Sequence, residues 1–405
     1  MRILFLSFYY PPDLSAGSFR SVALVRALLE RLPQDAHIDV ITTLPNRYST
    51  FSSEAPVREE HPRLTVHRVA LPAHKSGMVD QSKGFLTYAR GALALCKGKR
   101  YDLVYATSGR LLSASLGALL ARRHGAPLYL DIRDIFVDTM KDVLPRKMAW
   151  AIKPLLSALE RWTVGSARRV NLVSPGFLPY FEARYPGRDW ALFSNGIDEE
   201  FLLDVEPASE SAQFDPPPTS ERVLDVVYAG NMGEGQGLHA ILPALARRFQ
   251  GRLHFRLVGD GGRRAQLEQA LTDAGCDNVT LLDPVKRTEL IELYRAADVL
   301  FLHLNDYPAF KKVLPSKLFE YAALGKPVWA GVGGYAARFV EEHIDNAAVF
   351  APCDVDDAAR AFEALNPVTR ARPDFVARFR RDVIMARMSR DVLSIPGDTQ
   401  NKETD

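Results

Sequence analysis

The sequence predicts an α/β protein with two Rossmann-like, doubly wound domains that face each other across a cleft. Short apolar runs rich in β-branched and aromatic residues alternate with longer helical patterns along the chain, which is typical of βαβ units around parallel sheets. At about 150 residues per domain, 405 residues suffice for two or three domains. Ligands of such sheets bind beyond the carboxyl ends of the strands, so two facing domains predict a site in the cleft.

The first predicted domain spans 1–200. Its strand segments are apolar runs of six to eight residues, and they lie at 2–8, 37–44, 64–71, 102–107, 127–132, 168–174 and 190–195. Its helical segments show apolar residues at three- and four-residue spacing, and they lie near 17–31, 82–97, 110–124, 147–166 and 175–185. A linker is predicted at 201–222, where the apolar pattern stops and four prolines occur.

The second predicted domain spans 223–370 and repeats the alternation. Its strand segments lie at 223–230, 253–259, 278–285, 298–304, 327–331 and 347–352, and its helical segments lie near 237–249, 263–275, 287–296, 315–324, 335–343 and 354–365. A last helix is predicted at 371–395, and we expect it to return to the first domain. The polar tail at 396–405 is expected to be disordered.

Composition excludes several classes of protein. Hydrophobic residues make up 47% of the chain and charged residues 25%, which is too apolar for a disordered protein. The net charge is +2, so no overall field attracts nucleic acid, and no nucleic-acid partner is expected. Three cysteines without metal-ligand spacing favour a reducing, cytoplasmic compartment.

The amino terminus is read as a buried strand. The apolar run from Ile3 to Tyr10 is followed by Pro11 and Pro12, without the small-residue pattern of a signal-peptide cleavage site. The sequence contains no apolar run of the roughly 18 residues that a transmembrane helix needs. We therefore expect a protein that is soluble or that lies on a membrane surface.

The most informative segment is VLPSKLFEYAALGKP, residues 313–327. Pro315 suits the first position of a helix, and the amides of Ser316 and Lys317 would then point out of the positive helix end, towards a phosphate. Glu320 lies on the same helix face, about 6 Å further along the axis, where a carboxylate can hold a ribose diol. The alternative is a surface Glu–Lys pair on a capped helix.

The segment SKLFEYAALGKPV resembles the donor-site motif of retaining, GT-B-fold glycosyltransferases of glycosyltransferase family 4. The resemblance implies that helix-end amides bind a nucleotide diphosphate and that Glu320 holds the ribose. It also implies sugar transfer to a glycan or lipid-linked glycan without a metal cofactor, with UDP as the expected nucleotide. Leu314 and Ser316 belong to the same predicted donor-binding set.

The chain departs from the family pattern at three positions. Lys312 stands where the family has a sugar-contacting glutamate, and Asn231 and Gln236 stand where it has an arginine and a lysine. This variant resembles the branch of bacterial cell-surface polysaccharide transferases for O-antigen and capsule, some of which use N-acetylated 6-deoxyhexosamines. Lys317 is expected to replace the missing cations and to act in catalysis.

Two glycine-rich loops complete the predicted donor site. One loop runs from Gly230 to Gly237 between a strand and a helix, where backbone can approach a ligand closely. The second begins at Gly259 and does not fit the dinucleotide-binding template, because Arg264 occupies the last glycine position. By resemblance, Val285 and Lys286 line the base pocket. The alternative for the first loop is a flexible turn.

The acceptor side is predicted in the first domain, where a loop leads from the first strand into the first helix. Gly17 and Ser18 suit a helix start at the cleft, and Arg20 can reach an anionic group there. The alternative is ordinary turn-and-cap chemistry.

Charged residues also follow the fifth predicted strand. Asp131, Arg133, Asp134 and Asp138 are expensive to bury without partners, so a cleft position is expected. Asp134 is the candidate that orients or deprotonates the acceptor hydroxyl, and Arg133 is expected to pair with it or with phosphate. The alternative is an inward structural ion pair.

Other enzyme classes lack their motifs. The sequence has no G-x-S-x-G elbow, no G-x-x-x-x-G-K-[ST] phosphate loop and no H-E-x-x-H pattern. His303 ends a strand and is read as a structural histidine. Two rivals remain open, a nucleotide-sugar epimerase on the same scaffold and a catalytically silent nucleotide-sugar-binding protein.

A basic helix is predicted within 141–169, which holds seven basic residues against Asp142 and Glu160. Its apolar stripe comprises Met148, Ile152, Leu155, Leu159 and Trp162. One interpretation is a helix packed on its sheet with a solvated basic face. The other is docking of this face to an anionic membrane on the cytoplasmic side, where lipid-linked acceptors reside.

Overall fold

The structure is a computed structural model, and it describes residues 1–13, 15–45, 55–72, 78–108, 111–135, 137, 146–202 and 222–395. These residues form two compact units: unit 1 comprises 1–195 with the segment from 381 onwards, and unit 2 comprises 196–380. Each unit is an α/β body with a mainly parallel sheet. Most of the predicted linker and the whole predicted tail lie outside the described residues.

Unit 1 contains an eight-stranded sheet in the order β3-β4-β2-β1-β5-β6-β7-β8 within the described residues. Its strands are β1 (Arg2–Leu6), β2 (His37–Thr43), β3 (Arg58–His61), β4 (Leu64–Val69), β5 (Leu103–Thr107), β6 (Leu128–Ile132), β7 (Arg169–Leu172) and β8 (Trp190–Ala191). Every neighbouring pair is parallel except β3 with β4. Residues of β5 and β6 are buried throughout, as expected for strands covered on both faces.

The helices of unit 1 flank this sheet. Those described before unit 2 in the chain are α1 (Ala16–Arg31), α2 (Met78–Leu95), α3 (Leu111–His124), α4 (Arg146–Ser166) and α5 (Leu178–Arg184). No helix in the described part of the chain is long and apolar enough to cross a bilayer. The helices near 17–31, 82–97 and 110–124 were expected from the sequence, whereas the edge strand β3 was not.

The described residues of unit 2 form a six-stranded parallel sheet in the order β11-β10-β9-β12-β13-β14. Its strands are β9 (Leu224–Ala229), β10 (Leu253–Val258), β11 (Val279–Leu282), β12 (Val299–His303), β13 (Val328–Gly331) and β14 (Ala347–Phe350). Its helices are α6 (Leu238–Arg248), α7 (Arg264–Asp273), α8 (Arg287–Ala296), α9 (Lys317–Ala323), α10 (Tyr335–His343), α11 (Val355–Glu363) and α12 (Pro373–Phe379). This alternation is the doubly wound arrangement that the sequence predicts.

Unit 2 begins earlier than the predicted boundary. Phe201, which the sequence assigns to the start of a linker, is 1% exposed and belongs to the apolar core of unit 2. Its ring packs beneath Arg287, whose guanidinium carbon lies 4.9 Å from the ring centroid and whose side chain also binds Asp198. The predicted linker therefore cannot start at 201.

The predicted last helix, 371–395, is two helices. Arg380 has an extended conformation (ψ 130°) and separates α12 from α13 (Arg381–Ser394). The N–H of Ile197 donates to the carbonyl of Phe379 at 2.8 Å, which fixes the chain at the break. Phe375 packs in the core of unit 2, whereas Met385 and Met388 pack in the core of unit 1 with α1.

Candidate functional site

The structure places Lys317 directly against Gly230. Gly230 follows β9 with φ 144°, and a Cβ built on it would overlap Nζ of Lys317 and lie 2.6 Å from Cε. The Lys317 ammonium also lies 4.9 Å from the centroid of the Tyr228 ring, a favourable cation–π distance. Two predicted donor elements that are 87 positions apart in sequence thus form one cationic site at the carboxyl end of β9.

The helix at this site begins two residues later than predicted. Ser316 is the N-cap of α9, and Lys317 is its first residue. Pro315 precedes the helix, because the N–H of Leu318 donates to the Pro315 carbonyl at 3.2 Å in a tighter turn. Ser316 keeps helical dihedrals, so the Ser316 and Lys317 amides still belong to the amino-terminal end of α9.

Glu320 is half-buried in the first turn of α9. Glu320 is close to Tyr294 and Tyr321. Burial is the largest cause that raises the pKa of both tyrosines, and the charge of Glu320 raises it further. Leu314, by contrast, is buried in the apolar core. Only its backbone can serve the predicted donor-binding role.

The two amides that replace the family's cations bind each other. Nδ2 of Asn231 donates to Oε1 of Gln236 at 2.7 Å, and the Gly233 N–H donates to the same oxygen at 3.3 Å. The loop from Gly230 to Gly237 is therefore closed by internal hydrogen bonds, which argues against the flexible-turn alternative. Asn231 and Gln236 carry no charge, whereas the Lys317 ammonium is a cation that lies against this loop at Gly230.

Two residues outside this loop, Tyr307 and Arg263, bind Glu234 within it, and the sequence analysis assigned no role to any of the three. Glu234 accepts hydrogen bonds from the Tyr307 hydroxyl and from Nε of Arg263, both at 2.6 Å. The Tyr307 bond is the largest cause that lowers the pKa of Glu234. These three residues are far apart in sequence and carry no motif, so no local signal points to them.

The second glycine loop packs on the first. A Cβ on Gly259 would overlap the Gly230 carbonyl oxygen, and the Met232 N–H donates to the Asp260 carbonyl at 2.9 Å. Arg264, which breaks the dinucleotide template, donates to the Gly259 carbonyl at 3.0 Å and binds Asp283 at 2.6 Å. Both loops thus lie at the carboxyl edge of the sheet.

Val285 and Lys286 follow β11 at this same edge of the sheet. Lys286 is the N-cap of α8, and its carbonyl accepts the Leu290 N–H at 2.9 Å. Val285 packs partly buried against the core of unit 2. Val285 can therefore offer mainly its backbone groups to a base, whereas the Lys286 side chain is exposed.

His303 is a structural residue at the end of β12. Its Nε2 accepts the Cys353 N–H at 2.9 Å, so the ring proton is on Nδ1 and is donated to the Gln236 carbonyl at 2.7 Å. Burial lowers the pKa of His303 to about 4, which keeps the ring neutral. Both ring nitrogens are satisfied, and His303 holds the end of the first glycine loop.

In unit 1, Arg20 and Asp131 form a fully buried, bidentate ion pair. Nε and Nη2 of Arg20 donate to the two Asp131 oxygens at 2.8 and 3.0 Å. Tyr105 and Asn171 donate to the same carboxylate at 2.9 and 2.7 Å, while Arg20 also reaches the Phe193 and Ser194 carbonyls. The structure thus contradicts the predicted ligand-facing role of Arg20 and Asp131 and supports the structural alternative.

Arg133 follows Asp131 by two positions and makes no hydrogen bond with that pair, although the charges of Arg133 and Asp131 affect each other's pKa. A Cβ on Gly17 would overlap Nη1 of Arg133 and lie 3.2 Å from Cζ. Burial is the largest cause that lowers the pKa of Arg133 to about 10. Gly17 thus admits the guanidinium to the first turn of α1, where Ser15 is the N-cap and binds the Ser18 N–H.

Asp134 lies half-buried just beyond β6. It borders a cavity of about 10 Å³ that is also lined by Ser108, Thr163 and Glu160. Glu160 accepts hydrogen bonds from Tyr180 at 3.1 Å and Tyr185 at 3.2 Å. The cavity is too small for a sugar, and Asp138 lies outside the described residues.

Comparisons with known proteins show the family to which the chain belongs. A family model described as "Glycosyl transferase 4-like domain" matches residues 21–196, and one described as "Glycosyl transferases group 1" matches residues 210–369. The chain is a GT-B glycosyltransferase. The first domain model thus falls on the unit that holds Arg133, and the second on the unit that holds Lys317.

Two curated relatives and one solved structure illustrate the similarity. The glycosyltransferase is 29% identical over 213 residues, 51% of each chain, to a putative colanic acid biosynthesis glycosyl transferase of Escherichia coli K12. It is 23% identical to a D-inositol 3-phosphate glycosyltransferase of Pseudarthrobacter chlorophenolicus, over 91% of this chain and 88% of that one. The crystal structure of Anabaena HepE with UDP and glucose has a TM-score of 0.65 at 18% identity, with 97% of this chain and 100% of that one covered.

Proposed function

We propose that this glycosyltransferase is a retaining enzyme that moves a sugar from a UDP-type donor to a glycan or lipid-linked glycan in the synthesis of a bacterial surface polysaccharide. The observation that carries the proposal is the contact between Lys317 and Gly230, with Glu320 in the same helical turn. A cation at the backbone of a glycine loop suits a diphosphate, and a carboxylate one turn away suits a ribose diol.

The donor half of the reaction depends on charge at the leaving diphosphate. As the bond between the sugar carbon and the diphosphate breaks, negative charge grows on the leaving oxygen, and a fixed ammonium stabilises it. Because Asn231 and Gln236 are neutral and bind each other, Lys317 carries this role at the first glycine loop. The proposal includes no metal, following the family that the segment around Lys317 resembles.

The acceptor half is proposed by analogy with the family. The acceptor oxygen attacks the sugar carbon from the face that the diphosphate leaves, and its proton passes to the departing phosphate oxygen. Asp134 is the proposed group that orients the acceptor hydroxyl, because it lies beyond the carboxyl end of β6. An N-acetylated or 6-deoxy amino sugar is the proposed sugar, following the branch that the loop sequences resemble.

A peripheral position on the cytoplasmic face of the membrane is part of the proposal. Part of the apolar stripe of α4 is exposed: Leu155 is 71% exposed and Trp162 is 36% exposed, whereas Ile152 and Leu159 are half-buried. Lys153 and Arg161 are exposed beside them, while Glu160 is buried with Tyr180. Exposed apolar side chains among cations suit an anionic lipid surface. Lys141 and the side chains of Arg146 and Lys147 lie outside the described residues.

A nucleotide-release screen tests the proposed function. Purified protein is incubated with UDP-, GDP- and dTDP-sugars and bacterial membrane extract, and the released nucleotide diphosphate is measured together with the anomeric configuration of the product. We expect acceptor-dependent release of UDP and a product that retains the donor configuration. An inverted product would refute retention, and release of a free, epimerised sugar without acceptor would support an epimerase instead.

A further inference from the structure

A cavity of about 540 Å³ lies in unit 1, between the flank of α1 and the edge of the sheet at β3 and β4. Its volume falls within the range of small-molecule sites, roughly 300–1,000 Å³. Arg26, His61 and Pro62 are exposed lining residues, so a ligand can enter from solvent. The residues that line this cavity have no role in the proposed transfer reaction.

Much of the cavity wall is apolar. Val25 and Val66 belong to the apolar core of unit 1, and Val22, Leu29 and Leu64 pack half-buried against that core. On α1, positions 22, 25 and 29 are three and four residues apart, so they share one helix face. The apolar part of a ligand would displace water from this wall, which favours binding.

Two polar side chains at the cavity are donors without acceptors. Tyr10 and Arg68 both line the cavity, and each is 5% exposed. Within the described part of the chain, no hydrogen-bond partner is found for the Tyr10 hydroxyl or for the buried Nε of Arg68. Because an unsatisfied buried donor is unfavourable, these two groups match a ligand that brings acceptor oxygens.

The charge around these donors is mainly positive. The charges of Arg26 and Arg68 lower the pKa of the Tyr10 hydroxyl, while burial, the largest cause, raises it together with the charge of Glu59. Glu59 is compensated, because Arg68 and His61 each bind it at 2.9 Å. Arg26 is exposed and makes no ion pair with another described residue. An anionic group therefore suits this end of the cavity better than a neutral one.

We propose that this cavity binds an amphiphilic anion, an apolar chain that carries one phosphate or carboxylate group. The chain would lie against Val22, Leu29 and Leu64. The anionic group would accept hydrogen bonds from the Tyr10 hydroxyl and from Nε of Arg68, beside the charge of Arg26. Single-chain lipid phosphates and fatty acids both have this chemistry. The proposal depends on the cavity and its donors, so it and the proposed function can fail separately.

Titration calorimetry with four probes tests the chemistry of the site. The probes are octyl phosphate, octanoate, octanol and inorganic phosphate, each below any micelle-forming concentration. We expect one of the two octyl anions to bind at least tenfold more tightly than octanol and than inorganic phosphate, because the site recognises both parts. Tighter binding of octyl phosphate assigns the site to a lipid phosphate, and tighter binding of octanoate assigns it to a fatty acid. No binding of either octyl anion, or equal binding of octanol, overturns the proposal.

Variants place the binding in this cavity. Tyr10→Phe should weaken the octyl anion about tenfold and leave octanol unchanged, because only a hydroxyl donor is lost. Arg26→Gln should also weaken the anion, by a factor that shrinks at high salt. Val22→Trp should fill the cavity and abolish binding.

Two matched controls should bind as the wild type does. They are Arg122→Gln on the exposed side of α3, and Lys153→Gln with Arg161→Gln on α4. Unchanged affinity in both Tyr10→Phe and Val22→Trp, or an equal loss in the α4 control, would contradict a site in this cavity.

Thermal unfolding distinguishes a ligand donor from a structural hydroxyl. Because the Tyr10 hydroxyl has no partner among the described residues, Tyr10→Phe should leave the unfolding midpoint of the ligand-free protein unchanged or higher. The octyl anion should raise the midpoint of the wild type more than that of Tyr10→Phe. A lower midpoint in ligand-free Tyr10→Phe would make the hydroxyl structural and would refute its role as a ligand donor.

Discussion

The guanidinium of Arg20 and the carboxylate of Asp131 bind each other through two hydrogen bonds in the interior of unit 1, 111 positions apart in sequence. Burial favours the neutral form of Asp131, but the charge and hydrogen bonds of Arg20 outweigh it and hold the pKa of Asp131 below its ordinary value. The pair connects α1 to β6 and, through the Phe193 and Ser194 carbonyls, to the segment after β8.

Arg20→Met should destabilise unit 1. Removing one partner leaves the Asp131 charge buried and uncompensated, which costs about 3–5 kcal/mol in free energy of unfolding. Urea unfolding followed by tyrosine fluorescence measures the loss, with Arg26→Met on the exposed side of α1 as control. A loss under 1 kcal/mol, or an equal loss in the control, would contradict a structural role for the pair.

Glu320→Gln should weaken donor binding and leave folding intact. The charge-assisted hydrogen bonds to the ribose diol are reduced, and the expected cost is about 1.5–3 kcal/mol of binding free energy. Calorimetric titration with UDP measures it, and Glu268→Gln on the exposed side of α7 serves as control. Unchanged UDP affinity would refute the ribose assignment.

Lys317→Met should reduce diphosphate binding more than nucleoside binding, because the proposed partner of the ammonium is phosphate. Comparing the affinities for UDP and uridine in the wild type and in the variant measures the difference. Gly230→Ala should have a similar effect, since its Cβ would displace the ammonium. Equal losses for UDP and uridine would make Lys317 a structural residue.

Unit 2 should lose stability as the pH falls from about 6.5 to 4. The folded-state pKa of His303 is about 4, below the unfolded value of about 6.5, so within this window the unfolded chain binds a proton that the folded chain does not. The stabilisation is complete above the unfolded pKa, and roughly 3 kcal/mol of it is lost by pH 4.

Urea unfolding at several pH values tests this window in the wild type, in His303→Gln and in the exposed-histidine control His61→Gln. We expect a shallower pH dependence in His303→Gln only. The same pH dependence in the wild type and His303→Gln would mean that His303 does not titrate on unfolding.

Membrane binding should depend both on the exposed cations and on the exposed apolar side chains of α4. Lys153→Gln with Arg161→Gln should reduce co-sedimentation with anionic vesicles and its salt dependence, because each surface cation contributes about 1 kcal/mol. Leu155→Ser with Trp162→Ser should reduce the binding that remains at high salt. The control is Leu86→Ser with Lys83→Gln on α2, both exposed. A wild type that ignores anionic vesicles at low salt would refute the membrane proposal.

Local sequence pattern was sufficient for the fold and for the two segments that meet at Gly230 and Lys317. The alternation of strands and helices predicted both sheets, and the glycine loop at Gly230 and the segment at Lys317 were found from residue type and spacing. The partner of Arg20, the bonds of His303 and the cluster around Glu234 depend on residues far apart in sequence. Because no local spacing encodes such contacts, the sequence analysis assigned Arg20 to a ligand site and assigned no role to Glu234.

The break at Arg380 has a consequence for how the chain is assembled. The core of unit 1 requires Met385, Met388 and Val392 of α13, the last helix described. Unit 2 is in effect an insertion in unit 1, with its two ends joined by the bond from Ile197 to Phe379. During synthesis from the amino terminus, unit 2 can complete its core before unit 1 can. A ribosome that stops at residue 380 would therefore leave unit 1 with the apolar face of α1 uncovered, a substrate for chaperones and proteases.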